Sequence, residues 1–228
     1  MSEPALKIPD APAAEPEMIG GSELATYLSG KLCHDFISPA GAISTGFDLM
    51  DDPSSADMRE HALDMIRASA AKLIQIVEFA RVAYGAATTV ESFDSTGLKP
   101  MVEALFEGAR ASLDWQVPDM ALSKRQARIL LNLAQVALST LPLGGVLSLE
   151  ASRADGVFQV KARCVHERVR LKAEVSVGLA GQRLSEGLTG LWVQPYWLWL
   201  SVAEAGGQVS VREGEGQISL RAAIPARA

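Results

Sequence analysis

Cysteine is scarce in this chain, with only Cys33 and Cys164 among 228 residues. Two cysteines form neither a disulfide framework nor a zinc-ligand pattern. Basic charge is also short. Lys and Arg number 21 against 27 Asp and Glu, a net charge of −6, which argues against a general nucleic-acid binder, since that would need a basic patch. No uninterrupted apolar run is long enough to span a bilayer. The N-terminus has no basic stretch followed by an apolar core, so no secretory signal is expected. These absences make a reducing cytoplasm the default location and leave the membrane out. What remains is an ordinary globular balance of 48% hydrophobic and 21% charged residues, enough to bury a core in one large or two small domains.

Residues 1–20 are rich in Pro, Ala and Glu with little apolar periodicity, and read as a disordered tail. A long helical pattern follows from about Ser22, a plausible N-cap, to Met50. Asp51-Asp52-Pro53-Ser54-Ser55 is a tight turn. A second helix is predicted from about Ser55 to Ala83, with Met58, Ala62, Met65, Ile66, Leu73, Ile76 and Ala80 on its stripe. Two helices joined this closely form an antiparallel hairpin. A hairpin alone cannot cover two broad apolar stripes. A second copy completing a four-helix bundle would cover them, so a homodimer is expected through residues 21–84. The alternative is a hairpin packed on its own C-terminal domain.

Gly85-Ala86-Ala87-Thr88-Thr89 reads as a linker, and residues 90–228 as a mixed α/β domain. Strands are expected at Val90–Phe93 and Leu113–Val117. One helix is expected to open with Pro100 in its first turn and run to about Ala111, and another to open with Pro195 and end at Gly206-Gly207. Ser123-Lys124-Arg125-Gln126 is a capping box for a helix carrying Ala127, Leu130, Leu131, Ala134, Ala137, Leu138 and Leu141. Asp155-Gly156 joins two strands, Val146–Ser152 and Val157–Cys164, as a hairpin. Leu171–Leu179 is a short helix, and Gln208–Arg212 with Gln217–Ala223 closes the chain as a second hairpin. The fold class is α+β.

One residue of the first helix stands apart. At 100° per residue, His34 falls opposite Ala25, Leu28, Leu32, Phe36, Pro39, Ile43, Phe47 and Met50. Tyr27, Gly30, Lys31, Ser38, Gly41 and Thr45 share its face. The imidazole therefore points to solvent, where a neutral ring near pH 7 is a capable nucleophile. Asp35 lies about 100° round the helix and can reach sideways to orient it. Gly30 and Gly41 would let a partner approach closely. Pro39 should bend the helix just beyond. His61 and His166 have no comparable setting.

His34-Asp35-Phe36-Ile37-Ser38-Pro39 resembles the phospho-accepting box of sensor histidine kinases, and the order of elements behind it is similar to a histidine kinase core. The segment Ala203–Val211 followed by Gly214-Glu215-Gly216 resembles the end of the ATP-binding domain. The nucleotide boxes do not follow. Asn132-Leu133-Ala134-Gln135-Val136 has valine where a second asparagine belongs, and valine cannot ligate Mg²⁺. No Asp-x-Gly-x-Gly stands in Val160–Glu167. Where the last glycine-rich box belongs there is Pro195-Tyr196-Trp197-Leu198-Trp199-Leu200. Those side chains are either core filling or, together with Trp192, occupants of the space a nucleotide would take.

An accepting histidine, a dimerising hairpin and a degenerate ATP-binding fold together resemble the ChpT-type histidine phosphotransferases. The most specific stretch is Leu32–Pro39, with weaker support from Asp52-Pro53-Ser54 and Phe93-Asp94-Ser95. The resemblance implies a phosphorelay protein that carries a phosphoryl group on His34 between the receiver domain of a hybrid histidine kinase and those of response regulators. It implies no ATP site, no metal site and no cofactor of its own, the receiver bringing its Mg²⁺. Asp35 would orient the ring. Lys31 would meet phosphate oxygens or an acidic receiver surface, or be a solvated lysine. Ser38 would bond the phosphoryl group, or bond back to a helix carbonyl. Two further readings stay open: a diverged ATP-dependent histidine kinase and a non-catalytic kinase-like scaffold.

Overall fold

The computed structural model describes residues 18–52, 57–85 and 92–227. Up to residue 17, the expected tail lies outside the described residues. So do Pro53–Ser55 of the turn, Ala86–Thr89 of the linker, and the first two positions of the strand expected at Val90.

Helices α1 (Gly21–Asp51) and α2 (Arg59–Ala83) pack against each other as the expected hairpin. They approach closely at Gly46, where a β-carbon would stand 2.5 Å from Ile66 Cγ1 and 3.2 Å from the Ala62 carbonyl oxygen. α1 runs through Pro39, which is buried. Its N-cap is Gly20, not Ser22, and no side chain caps it. The reason is the residue upstream: the Ile19 N–H donates to the Tyr196 hydroxyl at 3.1 Å and fixes the chain's entry two residues early. Ser22 is thereby inside the helix, its carbonyl accepting from Thr26 Oγ1 at 3.0 Å.

The remaining elements are β1 (Ser92–Asp94), α3 (Ser95–Phe106), β2 (Ala111–Gln116), β3 (Ala121–Ser123), α4 (Lys124–Leu138), β4 (Gly145–Ala154), β5 (Val157–Val165), α5 (Ala173–Leu179), α6 (Thr189–Ala203), β6 (Gln208–Gly214) and β7 (Gln217–Pro225). Five strands form one sheet in the order β2-β4-β5-β7-β6, with only β2 and β4 parallel. Asp155 and Gly156 make the β4–β5 turn at φ 52° and 73°, the left-handed pair that matches strand twist. β1 and β3 form a separate antiparallel ribbon, and β3 was not anticipated.

Both helices expected to open on proline start earlier. α3 begins at Ser95 because that buried serine is held at the ribbon: its hydroxyl donates to the Pro118 carbonyl at 2.9 Å and accepts from the Met120 N–H at 3.0 Å. Pro100 is therefore inside α3. α6 begins at Thr189, six residues before Pro195, and buries Trp192 and Val193 before the proline is reached. A proline inside a helix removes one backbone bond, and the burial of those side chains offsets the loss.

α4 carries the expected capping box, with Gln126 N–H on Ser123 Oγ and Ser123 N–H on Gln126 Oε1. Ile129, Leu130, Leu131, Leu133, Ala134, Val136 and Ala137 are all buried, so the helix is covered on every side. One side rests on the sheet, on residues such as Leu149, Phe158, Val160, Ala162 and Leu220. The other side meets α2 and α6.

Cys164 lies in this core, its thiol donating to the Ala137 carbonyl at 3.4 Å, and burial pushes its pKa up to about 11. Cys33 is exposed. The thiolate is the reactive form, so the native chain should titrate one thiol rapidly and a second only on denaturation. An Ellman assay with and without guanidinium checks this.

Candidate functional site

The His34 side chain is 88% exposed on α1, as the wheel places it. Its Nδ1 faces Asp35 Oδ1 at 3.4 Å, a long contact for a hydrogen bond. The other oxygen of Asp35 takes Lys31 Nζ at 2.6 Å, one helical turn back. The lysine side chain is only 10% exposed. The sequence offered Lys31 as a free contact for phosphate or a partner. The structure instead pairs it with Asp35, where it holds the carboxylate that faces the ring. With Nδ1 turned toward a carboxylate, Nε2 is left toward solvent.

His34 and Asp35 stand between two clefts. The first, about 390 Å³, lies between the hairpin and α3 and includes Ser38, Gln75, Phe79, Tyr84, Met101 and Leu105. The second, about 680 Å³, lies between α1, α4 and the start of α6, and includes Gly30, Lys31, Gln135, Ser139, Leu188 and Gln194. Of the predicted site residues, Ser38 thus belongs to one cleft and Gly30 with Lys31 to the other. Gly41 lines neither. Among the described residues, no atom beyond the helix's own turn lies within 4 Å of a β-carbon built at Gly30 or Gly41, so packing among them does not require glycine at either position.

The clefts exist because the hairpin is docked on the sheet half of its own chain, the alternative weighed for the hairpin's apolar stripe. At the end of α2 the Ala83 carbonyl accepts from Asn132 Nδ2 at 2.8 Å and from Trp197 Nε1 at 2.9 Å. Lys72 Nζ donates to the Ala104 carbonyl at 2.7 Å, tying α2 to α3. At the same open end of the hairpin, where α1 begins, Ile19 and Leu24 pack on Trp192, Val193, Tyr196 and Leu200. Tyr27 meets Trp192 edge to face at 5.5 Å and 89°. Arg183 pairs with Glu23 at 2.6 Å. The aromatic run of α6, read from sequence as core filling or as an occupant of nucleotide space, is therefore largely the surface that receives the hairpin. Asn132, the asparagine that resembles a metal-binding position, gives its amide hydrogens to Ala83 and to the Arg128 carbonyl, both at 2.8 Å. Val136, four residues on, is buried and lines the second cleft.

One residue of the site escaped sequence reasoning. Tyr84 caps the C-terminus of α2, and its ring lies 6.5 Å from Trp197. Its hydroxyl is buried with no hydrogen-bond partner among the described residues. Burial, and secondarily the charge of Asp35, push its pKa up. An orphaned buried hydroxyl costs about 1–3 kcal/mol. The only signal in the sequence was an aromatic residue just before the glycine of the expected linker.

Comparison with known proteins agrees with this arrangement. Residues 96–217 match the family described as the histidine phosphotransferase C-terminal domain. Protein phosphotransferase ChpT of Brucella abortus (strain 2308) is 30% identical over 200 residues, covering 86% of this chain and 93% of that protein. A bacterial phosphotransferase of known structure superposes with a TM-score of 0.79 at 25% identity, covering 92% of this chain and all of that one.

Removing the tie at Ala83 should loosen the docking of the hairpin without touching His34. Asn132→Ala is expected to lower stability by about 1–3 kcal/mol, read as a lower urea midpoint.

Proposed function

The chain belongs to the ChpT-type histidine phosphotransferases, and we propose that His34 is the residue that carries its phosphoryl group, exchanging it with aspartates of receiver domains. The observation that carries this is an exposed imidazole whose Nδ1 faces a lysine-held carboxylate while Nε2 stays open between two clefts. The neutral ring keeps its proton on Nδ1, toward Asp35. The Nε2 lone pair attacks phosphorus in line. The bond between phosphorus and the receiver's aspartyl oxygen breaks, and its electrons leave on that carboxylate. Charge spreads over the equatorial oxygens, so the protein acts mainly by position and electrostatics. The ring becomes cationic with its Nδ1 proton retained, and Asp35 stabilises it. The second transfer reverses each change on another receiver. Mg²⁺ is expected on the receiver, at its own aspartate.

The same reading makes the chain independent of ATP. Its support is the commitment of Asn132 to the Ala83 and Arg128 carbonyls and the buried Val136 beyond it. The donor would be the receiver of a hybrid histidine kinase and the acceptors response regulators. A homodimer through the hairpin belongs to the proposal as well. Docking on the sheet half leaves Ile37 70%, Phe47 52% and Ile74 59% exposed, with Val77 also open. A second hairpin would cover these side chains and complete a four-helix bundle.

Incubation with a phosphorylated receiver should label the wild-type chain, while ATP alone should not. His34→Ala should take no label and keep its circular dichroism spectrum. Label from ATP alone would overturn the ATP-independent reading. Ile37→Asp combined with Ile74→Glu should halve the mass seen by light scattering, and an unchanged mass would remove the bundle.

A further inference from the structure

A buried hydroxyl without a partner is unusual in a folded chain, and here it sits beside the phosphorylatable ring. Tyr84 lines the same cleft as His34, Asp35 and Ser38. Its backbone belongs to the last turn of α2, where its N–H closes on Ala80 and Val82 and the preceding carbonyl is tied to Asn132 and Trp197. The ring is therefore held by the docked sheet half, and the hydroxyl proton has nothing to meet among the described residues.

Five side chains lining the cleft carry oxygen acceptors that such a proton could serve: Asp35, Ser38, Gln75, Glu107 and Gln135. Gln75 Oε1 is buried and also without a partner, yet it does not bond the tyrosine. Glu107 accepts from the Gln75 amide at 3.0 Å and lies 3.8 Å from Lys72 Nζ. Gln135 Oε1 already accepts from Gln194 Nε2, Ser38 offers a neutral hydroxyl, and Asp35 is the carboxylate whose charge acts on the tyrosine hydroxyl. A carboxylate has about four lone-pair sites. Lys31 takes one on Oδ2, and the contact from Oδ1 to the ring is still long at 3.4 Å.

We infer that Tyr84 is a positioning residue for Asp35: its hydroxyl donates to that carboxylate when the site closes on a receiver, fixing Asp35 against the Nδ1 proton of His34. The inference rests on His34 being the phosphoryl acceptor. When Nε2 bonds phosphorus the ring becomes cationic, and Oδ1 is drawn toward Nδ1. The tyrosine supplies a neutral donor, so it can fix the carboxylate without competing for the ring's positive charge. It also explains a use for the sheet half beyond shape, because that half sets where the hydroxyl stands.

The test uses the full chain and the receiver domain of a hybrid histidine kinase charged with acetyl phosphate. Rates of transfer to the chain are measured across receiver concentration for wild type, Tyr84→Phe, Asp35→Asn and the double variant, with thermal melting of each. Tyr84→Phe should melt at or above the wild-type temperature, since it deletes no existing hydrogen bond. Its maximal rate should fall roughly tenfold, the worth of one hydrogen bond to a charged group, with the half-saturating receiver concentration unchanged. In the Asp35→Asn background the same change should have no further effect. A Tyr84→Phe chain that transfers at the wild-type rate, or whose effect multiplies with Asp35→Asn, overturns the inference and leaves the role of His34 standing. A melting temperature that falls in step with the rate makes the hydroxyl structural and also overturns it. A wild-type chain that takes no label from the charged receiver removes the role of His34, and the inference falls with it.

Discussion

At the end of α2 a single backbone oxygen, that of Ala83, accepts two buried side-chain donors from different elements of the sheet half, Asn132 on α4 and Trp197 on α6. The last carbonyls of a helix have no partner within the helix. Here one of them becomes the attachment of the hairpin to the rest of the chain. The position of everything on α1 relative to α3, α4 and α6 follows from that attachment and from the aromatic contact that the start of α1 makes at the same end. Without these ties His34 would stand on a free hairpin, with no cleft on either side. With them, the walls of both clefts are set by elements more than 50 residues away in sequence.

The site itself combines an exposed group with groups that are covered. The ring of His34 is almost entirely open, whereas Lys31 is nearly buried and Asp35 is 27% exposed. A surface ion pair contributes little because water and side-chain entropy oppose it. Covering the lysine stem reduces both losses, and the pair then acts as a fixed mount. The carboxylate is held on one oxygen by a cation and presents the other to the ring. That division would suit the proposed carrier, a ring alternating between neutral and cationic forms without leaving its place.

Much of this was legible because it is local. The helical placement of the His34–Pro39 segment, the amphipathic stripes of the hairpin, the capping box at Ser123 and the Asp155-Gly156 turn each lie within a few residues, and all appear where the sequence puts them. What failed depended on partners distant in the chain. Ser22 lost the cap because Tyr196 holds Ile19. Pro100 and Pro195 fell inside helices because Ser95 and Trp192 are fixed by tertiary contacts upstream of them. β3 is three residues long and exists only by pairing with β1. Lys31 read as solvated because the wheel shows a face but not the cover over its stem. Tyr84 carried no pattern at all, since α1 and α6 supply what makes it matter.

The placement of one ring between two clefts has a consequence for the order of events. A domain large enough to bring an aspartyl phosphate to the His34 Nε2 must cover the ring from outside, and that ring has only one Nε2. Donor and acceptor therefore exclude each other at that histidine. The chain cannot bridge them in a ternary complex at one site. With His34 as the proposed carrier, it would release the first before the second arrives, a turnstile with a memory of one phosphoryl group. Its throughput is then set by how quickly each visitor leaves as much as by the chemistry.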